Sequence, residues 1–208
     1  MNAVFAIITA LGIPLMLLNL LGGIGSGIWL AVLGEWSTLG LGITFFFVST
    51  FLLGLVLMPG LALAIPAAKC AERGSLIGIL LFGTLSSGYI LAVVTLWCCG
   101  VLSLFVGDAT RSDIIPRLIW SYGVATGPWS YMASRESGTE GEGFASTVTN
   151  FLAQVAYVIV MILVLVTTLT IADAIRIFGA FMLIGLILQV WVTVSLHRAV
   201  TQEPLDPQ

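Results

Sequence analysis

His197 is the only histidine of the 208-residue chain, and its three cysteines stand at 70, 98 and 99. Nucleophilic catalysis needs a hydroxyl or thiol beside a base, and general acid–base chemistry needs titratable groups placed in pairs. His197 is followed by Arg198 and has no carboxylate or second histidine three or four residues away, so local spacing builds neither a serine–histidine pair nor a metal site. No CxxC spacing occurs, and Cys98-Cys99 inside an apolar run reads as small apolar filler. These residues predict no catalytic group, no metal ligand and no cofactor, and therefore a protein that is not an enzyme.

The remaining residues capable of specific chemistry are uncharged. Asn19, Gln154 and Gln189 are amides embedded in long apolar stretches. An unpaired amide in hydrocarbon costs several kcal/mol, so each should face protein or water, and bonding between helices is the ordinary use of such a group. Gly23 and Gly27 continue the i, i+4 row that Asn19 begins, and Gly83 with Ser87 repeats the spacing further on. Small residues in such rows let helices approach closely, which predicts packing faces within the bundle or between copies. A second reading of 22–27 is a broken helix that offers backbone groups to a ligand.

Glu35 beside Trp36 marks the end of the first apolar run, and it is the best candidate for a functional carboxylate if it lies deeper. Asp113 with Arg117, four apart, and Asp173 with Arg176, three apart, suit local helix and cap pairs. Two segments crowd Gly, Trp and Tyr together: 25–36, and 120–129 with Tyr122, Gly127 and Trp129. A functional surface is expected where these segments meet.

The elements that carry these residues follow from the charges. Charged residues make up only 8% of the chain, against about 25% in an average soluble domain, and hydrophobic residues make up 59%. Such a chain cannot cover a water-facing surface, and its few scattered basic residues exclude nucleic acid as a partner. Residues 1–34, 36–68, 74–107, 143–172 and 177–197 contain no Asp, Glu, Lys or Arg. Each exceeds the roughly 20 residues that cross about 30 Å of hydrocarbon as a helix, because the backbone must bond internally in lipid. The fold class expected is all-α, a polytopic transmembrane helix bundle in one domain, with spans at about 3–33, 38–66, 75–106, 144–170 and 171–197.

Pro14 should kink the first span, and Pro59 and Pro66 should loosen the end of the second. Residues 113–133 are less apolar, with Pro116 near the start and Gly127-Pro128 inside. They predict a broken interfacial or re-entrant segment, with a sixth span as the alternative. Residues 134–143 read as a flexible Gly/Ser/Glu loop and 199–208 as a polar tail. Thr170 and Asp173 have capping-box spacing, which places a tight turn before the last span. Five spans and six spans both divide the seven basic residues four against three, so charge does not orient the chain.

Three functional classes remain. A small membrane subunit, scaffold or assembly partner fits the absence of ionisable residues within the spans. A small oligomeric transporter or channel for a neutral or lipid-like solute is the alternative. An intramembrane enzyme lacks its reactive groups. The expected surroundings are the lipid bilayer of a plasma or bacterial inner membrane, with a further copy or another membrane protein as partner.

Overall fold

A computed structural model describes residues 2–107, 113–136, 142–167 and 170–202. It is all-α, with six helices: α1 (Asn2–Val32), α2 (Trp36–Glu72), α3 (Leu76–Val106), α4 (Ile114–Glu136), α5 (Glu142–Val166) and α6 (Ile171–Gln202). Ala10–Val32, Trp36–Glu72, Leu76–Val106 and Ala172–Ser195 are each long and apolar enough to cross a membrane, and Asn150–Val166 is a shorter apolar stretch.

Large apolar side chains such as Leu21, Ile28, Phe47, Phe51, Leu183 and Trp191 face outward from α1, α2 and α6. A continuous apolar exterior of this kind is untenable in water and is the ordinary surface of a lipid-embedded bundle. The chain is a multi-pass membrane protein.

Both turns beside α2 close on a glycine in the left-handed region. Gly34 has φ +80° and Gly74 has φ +66°. At each, the next amide reaches back to the preceding helix: Glu35 N to Leu30 O at 2.9 Å, and Ser75 N to Cys70 O at 2.9 Å. These are Schellman caps, which satisfy the last carbonyls of one helix while reversing the chain within three residues. Before α6, Asp173 N donates to Thr170 Oγ1 at 3.2 Å and Thr170 N to Asp173 Oδ2 at 3.3 Å, so the capping box forms as its spacing requires.

The break expected in 113–133 does not occur, because α4 is one continuous helix. Pro116 falls in its first turn, where an N–H has no partner within the helix in any case. Pro128 lies inside the helix and is almost fully buried, so packing from neighbouring helices holds the turn that its missing donor would loosen. Nor does α4 lie on the outside. It packs against α1, α2, α3 and α5.

Other boundaries shift in the same direction. α1 runs through Pro14, and α2 runs through Pro59 and Pro66 to Glu72. The broken-helix reading of 22–27 fails because α1 is continuous there. The loop expected over 134–143 is narrower, since 134–136 end α4 and 142–143 begin α5; residues 137–141 lie outside the described residues. α6 takes up 199–202 of the expected tail, and 203–208 lie outside the described residues.

Successive helices run in opposite directions. The α1–α2 turn, the end of α3, the start of α4 and the α5–α6 turn share one end, called here the Glu35 end. The α2–α3 turn, the end of α4, the starts of α1 and α5 and the end of α6 share the other, the Lys69 end.

Candidate functional site

α4 supplies most of the polar side chains that the fold brings together, and they form two groups. The first lies at the Glu35 end. Arg117, in the first turn of α4, donates from Nη2 to Glu35 Oε2 at 3.0 Å and holds Nε 3.1 Å from Asp113 Oδ2. Thr38, in the first turn of α2, donates to the same Glu35 oxygen at 2.8 Å. The Arg117 and Asp113 side chains are only 12% and 11% exposed. One guanidinium therefore bridges the shielded Asp113 carboxylate and the partly exposed Glu35 carboxylate, and ties the α1–α2 turn to the start of α4. Removing one partner from such a group leaves a poorly solvated charge behind, which is costly. Asp113 and Arg117 are thus more than the local pair their spacing suggests, and Glu35 is part of a tertiary ion cluster.

The second group lies near the middle of α4, where α1, α4 and α5 meet. Asn19 Nδ2 donates to Thr126 Oγ1, which in turn donates to Tyr122 O at 2.8 Å. The Tyr122 hydroxyl lies 2.9 Å from Gln154 Oε1 and 3.1 Å from Leu15 O. Gln154 Nε2 donates to Asn150 Oδ1 at 3.2 Å. One turn nearer the Glu35 end, Tyr157 donates to Ser121 Oγ at 3.0 Å, which donates to Leu118 O. Tyr157 also packs edge-on against Phe178 of α6. Tyr122, Tyr157, Ser121 and Thr126 are fully buried. Hydrogen bonds of this kind between helices contribute about 1 kcal/mol each in a membrane.

Close approach makes this junction reachable. A Cβ at Gly123 would stand 3.6 Å from Gly23 Cα, so α1 and α4 cross backbone to backbone there. A Cβ at Gly27 would lie 3.1 Å from the Trp120 indole, and one at Gly127 2.7 Å from the Phe46 ring. Gly42 of α2 lies directly under Trp120, and a Cβ there would overlap the indole. Trp120 Nε1 is buried at this contact with no hydrogen-bond acceptor among the described residues. Trp97 Nε1 of α3 donates to Ala125 O at 3.1 Å, so α3 also bonds to α4.

The residues singled out from the sequence divide accordingly. Asn19, Gly23, Gly27, Tyr122 and Gln154 gather along α4, and Gly127 lies beside Phe46 of α2. Glu35 joins the ion cluster, while Trp36 next to it is 66% exposed. The Trp129 side chain lies outside the described residues. Gly83 has open space where a Cβ would go. Ser87 is buried, but its neighbour Ser86 makes the α2 contact, donating to Gly60 O at 2.7 Å. Gln189 is half-buried and forms no side-chain hydrogen bond among the described residues.

Arg117, Ser121, Thr126, Asn150 and Tyr157 were not singled out as contributors to a shared site. Helical spacing carries some signal for them: Thr126 is four residues from Tyr122, and Tyr157 is three from Gln154. The pairing of Glu35 with Arg117 has no local signal, since 82 residues separate them. Comparison with family models, curated proteins and solved structures finds no match to the chain, so the reading of both groups rests on their own geometry.

Proposed function

We propose that the chain is a non-catalytic membrane subunit or assembly scaffold whose six helices all cross the bilayer. The alternation of helix directions and the enclosure of α4 support six spans over five. The observation that carries the functional reading is the mutual bonding of the mid-bundle polar groups. Asn19, Tyr122, Thr126 and Gln154 bond to one another, to Asn150 and to backbone across α1, α4 and α5. Groups used in this way fasten helices together. The outward faces of α1, α2 and α6, in contrast, are apolar and suited to lipid or to another membrane protein.

Purification of the tagged protein in mild detergent, with mass measurement of everything retained, tests this reading. A different membrane protein retained in stoichiometric amount is expected. Purified protein that retains no such partner yet conducts a solute in liposomes would overturn it.

The second reading is passage of a neutral solute, and the position of the polar junction favours it. Solute sites in membrane carriers commonly lie near the bilayer midplane. The Tyr122, Gln154 and Asn19 groups are uncharged donors and acceptors at about half the length of α4. Under this reading, Tyr122→Phe abolishes flux in liposomes while the protein stays folded.

A further inference from the structure

α2 carries prolines at 59 and 66, both inside the helix. A helical proline has no N–H for the carbonyl one turn back, so Leu55 O and Ala62 O lose their partners in the helix ladder, and the helix bends most easily there. Burial changes at the first of these points. Ser49, Leu53, Leu57 and Gly60 follow one stripe at helical spacing, and all four are buried. From Leu61 to Glu72 no residue of α2 is buried, and on the facing length of α3 none is buried before Ser86. The contacts of Gly42 with Trp120 and of Phe46 with Gly127 of α4 also lie before Pro59. Segments with few buried neighbours open at the lowest cost, and here such a segment begins beside a proline.

Two hydroxyls of α3 bond across to that same place. Tyr89 donates to Val56 O at 2.8 Å, and Ser86 donates to Gly60 O at 2.7 Å, so the two bonds straddle Pro59. The helices touch closely between them, since a Cβ at Gly60 would stand 2.9 Å from the Tyr89 ring and 3.0 Å from Ile90. Further out, the half-buried Cys70 lays its Sγ over the position that a Cβ on Gly78 of α3 would take.

We infer that residues 61–72 of α2 form a hinged arm that swings off α3 about Pro59, and that the Ser86 and Tyr89 hydroxyls are the latch that holds it closed. The proline supplies the pivot, the loss of burial beyond Gly60 makes opening cheap, and the two hydroxyls bond the arm at its root. Opening separates Cys70 from Gly78 and bares the inner side of the arm at the Lys69 end. The inference rests on α2 and α3 alone and holds under either functional reading above.

Cys70 is a built-in reporter, and the buried Cys98 and Cys99 report opening of the whole bundle. The test is labelling of the full chain in lipid nanodiscs, where a bulky fluorescein maleimide reaches both faces, with the label assigned by peptide mass. Tyr89→Phe and Ser86→Ala each remove one interhelical hydrogen bond and should raise the Cys70 labelling rate about fivefold. Pro59→Ala returns the missing N–H and should lower that rate about tenfold. Tyr122→Phe, a hydroxyl lost elsewhere in the bundle, should leave it unchanged. Cys98 and Cys99 should stay unlabelled throughout. The inference is overturned if neither latch variant speeds labelling of Cys70, if Pro59→Ala does not slow it, or if Tyr122→Phe speeds it as much as Tyr89→Phe. Labelling of Cys98 and Cys99 that rises in step with Cys70 overturns it equally, because the bundle then opens as a whole.

Discussion

α2 and α4 differ in a way that reverses the usual relation of polarity to burial. α2 is 37 residues of nearly continuous apolar sequence, and along most of its length one side faces outward. α4 is 23 residues with two arginines, two tyrosines and several hydroxyls, and most of its described side chains are buried or half-buried. In water the apolar helix would occupy the core. In a bilayer the solvent is itself apolar, so burial brings α2 little, while an exposed hydroxyl or guanidinium on α4 would be left without partners. The helix with the most groups to satisfy is therefore the one that other helices surround.

The contrast predicts a graded series of responses in detergent-monitored thermal unfolding. The largest belongs to the ion cluster. Arg117→Leu removes the guanidinium that bridges Asp113 and the partly exposed Glu35, which should cost about 3 kcal/mol. A melting temperature unchanged by that substitution would show that the cluster is solvated and does not hold α4. Next comes the seat of Trp120. Gly42→Leu forces the indole aside and should cost about 2 kcal/mol, whereas Gly40→Leu, two residues away in open space, should be nearly neutral. Equal effects at the two glycines would place Trp120 elsewhere.

Smaller responses sharpen the comparison. Tyr122→Phe removes one hydroxyl between Gln154 and Leu15 and should cost about 1 kcal/mol. Gly34→Ala should cost a similar amount, about 1 kcal/mol, because an L side chain is strained at positive φ. Leu21→Ala, on the outer face of α1, should change stability by less than about 0.5 kcal/mol, since lipid fills the space. If Leu21→Ala proves as damaging as Tyr122→Phe, the outer face of α1 is covered by protein rather than lipid.

Much of the architecture was legible along the chain. The charge-free stretches marked the apolar helices, and Thr170 with Asp173 marked the cap before α6, because both signals act within one helix length or one turn. The break assigned to α4 illustrates what was not legible. Pro116 and Pro128 weaken a helix in isolation, but α4 is held by its neighbours, and no local pattern reports that support. The amides Asn19 and Gln154 announced a need for partners without saying which. Thr126 and Tyr122 answer that need from helices 107 and 32 residues away, while Asn150 answers Gln154 from one turn earlier on its own helix.

The sequence by itself determined that this chain is helical, apolar and multi-pass, because hydrocarbon permits no unbonded backbone and few charges. It also determined where polar groups occur. Only the tertiary structure decided that α4 is the enclosed helix, that Arg117 serves two carboxylates at once, and that Tyr122 meets Gln154 of α5. Those outcomes depend on which helices lie side by side and at what height. Glycine contacts such as Gly23 with Gly123 and long-range hydrogen bonds set that arrangement, and neither is visible to a reading confined to neighbours in sequence.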